Sequence, residues 1–294
     1  MKLGIAGIGP DPNPDVPILL PSWQSFDGAA AERILQSGYR GAALFVAQPL
    51  AADLADVRRV GRICEQAGLE IAQANGSYSD LVNPHASERA EGVRTFQALV
   101  RIGRIWNAQT VYVRPGSLNL RGSWWPHPDN RSPQTFDRLV EGLSLVCKTA
   151  EAEGVTLAIE GHVLSPLYSA QRLRDVLDAV GSPALKINMD PVNFIGTVAD
   201  VYDTTAVVNE LFDLLGADTV ALHAKDCALA DALVVHIDEV VPGEGTIDYE
   251  LLLTRFAEDC PNGYVLIEHL TQEHVPAAQA AILEVAQRLE LSFE

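Results

Sequence analysis

Eight short apolar runs, each followed by a stretch of helical periodicity, constrain this chain more than any other feature of its sequence. The runs are Leu3–Gly7, Gly41–Ala47, Glu70–Ala74, Thr110–Val113, Val155–Ile159, Leu185–Met189, Thr219–Leu222 and Tyr264–Ile267. Val, Ile and Leu dominate them with little polar alternation, the pattern of strands buried on both faces. Helical periodicity is read near 28–37, 53–67, 87–105, Phe136–Ala150, Ala170–Val180, 204–215, 248–260 and 277–290. Ser132-Pro133 and Gly154 bracket the fourth of these, Ser169 and Gly181 the fifth, as N-cap and C-cap signals. Gly38, Gly68, Gly154, Gly181 and Gly216 each close a helix just before the next strand. The helix-to-strand turns are therefore short, and the strand-to-helix loops long, notably 8–26, 114–134 and 223–247. Eight strand–helix units of roughly 35 residues predict an α/β protein, a single-domain (β/α)8 TIM barrel over residues 1–294. An open doubly wound sheet is the competing arrangement. It is disfavoured because "GIAGIGP" leads into a proline-rich loop and not into a helix.

Composition narrows the function. The chain is 48% hydrophobic, enough for a sizeable core, and its formal charge is −18. That charge argues against a nucleic-acid partner, whose phosphates reward clustered Lys and Arg. The four cysteines, Cys64, Cys147, Cys227 and Cys260, are widely spaced with no C-x-x-C pair, which points to reduced thiols in a cytoplasm. The N-terminal segment meets Pro and Asp before a signal-peptide core could form, and no run of apolar residues is long enough to span a membrane.

In such barrels the active site lies at the C-terminal ends of the strands. The fifth run ends in Glu160, with His162 two residues on, and the sixth in Asp190. The seventh offers His223, followed by Lys225 and Asp226, and the eighth Glu268 and His269. Four consecutive strands thus present Glu, Asp, His and Glu at one rim. Oxygen and imidazole donors suit a divalent cation, which would also relieve the repulsion among three carboxylates.

The segments "LAIEGHV", "INMDPVN", "LHAKD", "PGEGTIDY" and "LIEHL", in this order, resemble the xylose isomerase-like barrels, also called the sugar phosphate isomerase/epimerase superfamily. Relatives include ketose 3-epimerases and inosose dehydratase. The resemblance implies one divalent metal ion, Mn2+ foremost with Mg2+, Co2+ or Zn2+ as alternatives, held by Glu160, Asp190, His223 and Glu268. It further implies that Glu160 and Glu268 share proton transfer, and that the chain forms a homo-oligomer. Two positions depart from the ketose 3-epimerases: Gly161-His162 replaces Pro-x-Asn-Arg, and Asn193 stands where a substrate-binding His is usual. The segment after Lys225-Asp226 looks more like the inositol-catabolism dehydratases.

The expected function is that of a sugar isomerase or epimerase, with proton transfer next to a carbonyl through a metal-stabilised enediolate. The alternative is a lyase acting on a keto-sugar, either inosose dehydratase-like or cleaving 3-oxo-glycosides. A non-catalytic sugar-binding protein ranks lower, and the charge disfavours an endonuclease IV-like phosphodiesterase. Around the metal, His162 is read as acid/base or hydroxyl partner, and Lys225 as catalytic cation or structural ion pair. Arg114, Trp124, Trp125 and Asn193 are candidate substrate contacts, Arg114 alternatively pairing with a rim acid and the tryptophans forming either a lid or wall or a subunit interface in the loop after the fourth strand. Trp23 in the first long loop carries the same alternatives of wall or interface. His269, adjacent to Glu268 in an extended chain, is expected to point away from it.

Overall fold

The apolar runs pair side by side because each buries both faces, one against helices and one against the far wall of a cylinder. The structure is a computed structural model describing residues 1–294. The barrel strands are β1 (Lys2–Ile5), β2 (Gly41–Val46), β3 (Glu70–Gly76), β4 (Thr110–Val113), β5 (Leu157–Ile159), β6 (Leu185–Met189), β7 (Thr219–Ala224) and β10 (Tyr264–Ile267). They close in sequence order, β10 pairing with β1, into the expected parallel barrel.

Around it lie α1 (Gly28–Gln36), α2 (Leu54–Ala67), α3 (Ala86–Trp106), α4 (Pro133–Glu153), α5 (Ala170–Val180), α7 (Thr204–Leu215), α8 (Tyr249–Asp259) and α9 (Val275–Arg288), with a short extra helix α6 (Val198–Tyr202). None is long and apolar enough to cross a membrane.

The caps behave as the sequence predicts. Ser169 accepts a hydrogen bond from the Arg172 amide, and Gly181 ends α5 at φ 63°. Ser132 caps α4, and Gly154 ends it at φ 66°. There the Val155 amide bonds back to Ala150, which consumes the first residues of the expected fifth strand. Gly216 differs: at φ −53° it stays helical, and the chain leaves α7 through a 3-10 turn at Gly216–Asp218.

Two loops differ from expectation. Residues 223–247 contain an antiparallel hairpin, β8 (Asp226–Leu229) with β9 (Ile237–Val240), whose tip exposes Leu233, Val234 and Val235. Cys227 therefore sits in a strand, and Cys260 caps α8; all four cysteines are free. Trp23 is part of neither wall nor surface. It is buried in the main core, edge-on to Trp106 at 6.1 Å.

Side chains alternate along each strand. One set, including Ile5, Leu44, Val113, Ile159, Ile187 and Val265, packs outward in the large core shared with the helices. The other faces the barrel axis. At its lower end Lys2 Nζ and Tyr264 Oη meet the Glu70 carboxylate at 2.8 and 3.0 Å, and Gly4 and Gly41 leave room for the Tyr264 ring. A Cβ on Gly41 would lie 2.6 Å from Tyr264 Oη.

Burial alone would raise the Glu70 carboxyl, but Lys2, Tyr264 and Arg40 hold it below its ordinary 4.5. A depressed carboxyl contributes stability above its unfolded value and loses it as pH falls through the folded one. The wild type should therefore lose stability in acid below pH 4.5, and Glu70→Gln should lose less of it there while being weaker at neutral pH. Urea unfolding across that window checks this; parallel curves would remove Glu70 from the account.

Candidate metal centre

The four rim residues converge. Glu160, Asp190, His223 and Glu268 are all buried, and one ligand atom from each lies within 4.8 Å of the others. Glu160, Asp190 and Glu268 directly follow β5, β6 and β10, and His223 is the penultimate residue of β7, so the parallel register brings them to one end of the barrel. Pro191 turns the chain into a 3-10 turn (Pro191–Phe194) directly after Asp190. Gly161 is required by that turn: a Cβ there would come within 2.6 Å of Phe194 and 2.7 Å of the Leu167 carbonyl oxygen.

The residues fit a cation. Asp190 Oδ1 and His223 Nε2 are buried without a hydrogen-bond partner, a costly state for groups that water cannot reach. His223 Nδ1 lies 2.9 Å from Glu268 Oε1 and 3.2 Å from Glu160 Oε1, close enough to share one ion. Lys225 is drawn in as well, its Nζ 2.7 Å from Asp190 Oδ2 and 2.8 Å from Glu268 Oε1. With a neutral imidazole, three carboxylates and one ammonium leave two negative charges, which a divalent ion matches.

With protein charges alone, protons take up that role. Burial would lower His223, but Glu268 and Glu160 raise it to about 10. Burial would also lower Lys225, but Asp190 and Glu268 raise it well above its ordinary value. Burial pushes Asp190 up against the pull of Lys225, whereas Glu160 is held down by His223 despite its burial.

The flanking residues separate into groups. His162 accepts the Leu164 amide on Nδ1 at 3.1 Å, so its proton resides on Nε2. Burial pushes its pKa down to about 4, which keeps the ring neutral. Trp124 meets it edge-on at 5.8 Å, while Trp125 turns to Arg121, whose guanidinium lies 3.3 Å over its ring. Asn130 and Arg131 bind the carbonyls of Leu164 and Val163, fastening the loop after β4 to the loop after β5. Asn193 is buried, with its amide nitrogen unpartnered.

Arg114 stands apart from the cluster. Its guanidinium lies 4.2 Å over the Tyr78 ring, and its amide donates to Tyr78 Oη at 2.8 Å. His269 adopts φ 60°, a left-handed backbone that brings its ring back toward the centre. Its Nδ1 is 3.3 Å from Glu239 and its Nε2 3.8 Å from Glu268, unlike the extended-chain expectation.

Several residues escape a reading of the sequence. Asp226 does not pair with Lys225; its carboxylate accepts the amides of Cys227, Gly243, Gly245 and Ile247, and so folds the "PGEGTI" segment. Beneath Glu160, Tyr112 donates its phenol O–H to Oε2, and Asn188 Nδ2 lies 3.3 Å from Oε1. Gln73 Nε2 in turn binds Asn188 Oδ1 at 3.2 Å. The available signal was parity: Asn188 precedes Asp190 by two positions, and so shares its face of the strand.

Residues 31–289 match the family described as xylose isomerase-like TIM barrel, and the chain belongs to that family. No curated protein matches it significantly in sequence. Among solved structures it is similar to a D-tagatose 3-epimerase-like protein, at TM-score 0.74 and 15% identity over 99% of this chain and 98% of that one. It is similar also to 3-keto-D-glucoside 4-epimerase from E. coli, at 0.69 and 15% over 98% and 99%. A third is a xylose isomerase-like TIM barrel protein from Mycobacterium smegmatis in complex with magnesium, at 0.72 and 14% over 98% and 97%.

Proposed function

We propose that the chain is a divalent-metal-dependent sugar isomerase or epimerase that moves a proton at the carbon next to a carbonyl. The observation carrying this reading is the buried convergence of Glu160, Asp190, His223 and Glu268 at the C-terminal end of the barrel. Two similar structures are epimerases or epimerase-like by name, and a third was obtained with magnesium, which supports the same reading.

These four residues would hold the ion; their oxygen and imidazole donors suit Mn2+, Mg2+, Co2+ or Zn2+, with Mn2+ put first by the family resemblance. When bound, the ion supplies positive charge that draws electron density from the substrate's carbonyl oxygen. Glu160 and Glu268 are the carboxylates that take the proton from carbon and return it. Lys225, already beside Asp190 and Glu268, keeps a positive charge facing the negative charge that develops. His162 offers its Nε2–H to a substrate hydroxyl, and Trp124 an apolar wall against the C–H face of a sugar. Asn193, buried with its amide nitrogen free, is a further candidate contact, whereas Arg114 is taken up by Tyr78 and Trp125 by Arg121. The substrate class is a sugar or keto-sugar, in keeping with the names of the similar structures. Four free thiols suit a cytoplasmic enzyme.

His162 favours a second reading, elimination from a keto-sugar. Its Nε2–H would hydrogen-bond the leaving group's oxygen, while the glutamate that took the proton from carbon passes it to that oxygen. Both readings are tested by incubating Mn2+-loaded protein in D2O with ketohexoses and 3-keto-glycosides. Isomerisation gives a stereoisomer or aldose carrying deuterium next to the carbonyl; elimination gives a product that has lost water or its aglycone. A chain that takes up no divalent ion and exchanges no carbon-bound hydrogen would overturn both.

A further inference from the structure

Glu160 and Glu268 are treated as a matched pair by the proposed function, yet their surroundings differ. Glu160 has both oxygens occupied from below. Tyr112 on β4 donates to Oε2, and Asn188 on β6 donates to Oε1 at 3.3 Å. The Asn188 amide is itself oriented by Gln73 on β3, whose Nε2 takes Asn188 Oδ1 at 3.2 Å. All four side chains are buried, with Gln73, Asn188 and Glu160 each 1% exposed, so no water competes for these bonds. The Tyr112 ring also stacks on the His223 imidazole, at 5.5 Å between centroids and 29° between planes.

Glu268 has no such support. Its close partners are ionisable groups at the rim: His223 at 2.9 Å, Lys225 at 2.8 Å and His269 at 3.8 Å. No hydroxyl or amide donor holds its carboxylate in one orientation.

Resting on the reading of the four residues as a metal site, we infer that Tyr112 and Asn188 are positioning residues that clamp Glu160. The chain from Gln73 through Asn188, meeting the Tyr112 phenol at the same carboxylate, fixes Glu160 as the rigid ligand. Glu268 is left as the carboxylate free to turn between ion and substrate. Outer partners of metal-binding carboxylates typically change metal affinity by about 10–100-fold when removed.

The test is a calorimetric Mn2+ titration of metal-stripped protein, for wild type, Tyr112→Phe, Asn188→Ala, Glu160→Gln and Tyr112→Phe/Glu160→Gln. Tyr112→Phe should bind Mn2+ about 10–100-fold more weakly than wild type, with a melting temperature close to it. In the Glu160→Gln background the same change should add less than about twofold, because the phenol acts through the carboxylate it holds. Asn188→Ala reports the other oxygen independently, and serves if Tyr112→Phe proves unfolded by circular dichroism. Wild-type affinity in both Tyr112→Phe and Asn188→Ala, or an undiminished loss from Tyr112→Phe on top of Glu160→Gln, would overturn the clamp while leaving the metal site standing. A wild type that binds no Mn2+ would overturn the metal reading itself and the clamp with it.

Discussion

Asp190→Ala should contain almost no divalent metal, where the wild type carries close to one ion per chain. The side chain is fully buried, and its Oδ1 has no hydrogen-bond partner. Its Oδ2 lies 2.7 Å from Lys225 Nζ, and that ammonium also touches Glu268. A buried carboxylate so placed has two possible uses, as ligand to a cation or as half of an ion pair. Losing an outer partner of a metal ligand costs about 10–100-fold in affinity, so losing the ligand itself should exceed about 100-fold. Turnover should fall with occupancy, since the oxygen-polarising charge is absent.

Elemental analysis of both proteins after incubation with Mn2+ and gel filtration gives the answer. If the wild type stays empty, Asp190 is the counter-ion of Lys225 and nothing more. In that case the substitution would act on stability alone, leaving a buried ammonium with one partner fewer.

The barrel was legible because its signals are local. Ala170–Val180 has the bounds its apolar stripe, Ser169 and Gly181 predict, and β4, β6 and β10 begin and end where the apolar runs do. The four candidate ligands were legible for a related reason. Each is a polar residue interrupting an apolar run at its final step, and a parallel barrel places final steps together.

What escaped depends on register or on distant partners. Tyr112, Asn188 and Gln73 lie inside runs that read as strands buried on both faces. Their inward direction becomes definite only when the pairing is known, including the shift between Ala42 and Ala43 where β2 meets β3. The hairpin of β8 and β9 has a long connection at residues 230–236, with none of the Asn-Gly or Asp-Gly pairs that announce a tight turn. Trp23 looked like a wall residue because it lies in a long loop, but a loop that folds back under α2 can bury an indole against Trp106. His269 was placed on the wrong side by assuming an extended chain, where φ 60° turns it back.

Glu268→Gln should leave the barrel folded and able to take up Mn2+ at high concentration, yet slow proton exchange at the substrate carbon by about 10²–10⁴-fold. The amide keeps one oxygen for the ion and nearly the volume of the original side chain, so the loss concentrates on the ability to accept a proton. The surroundings favour Glu268 for that task. It is 7% exposed where Glu160 is 1% exposed, and no hydroxyl or amide fixes its orientation. Measured at saturating Mn2+, deuterium uptake from D2O into a responsive ketose separates chemistry from metal loading. Glu160→Gln under the same conditions should show its larger effect in the Mn2+ concentration needed, because its carboxylate is the one held by Tyr112 and Asn188. A Glu268→Gln protein that exchanges within about tenfold of wild type at saturating metal would assign the proton to another group. Glu160, the other carboxylate at the centre, would then be that group, and Glu160→Gln at saturating Mn2+ would show the larger loss.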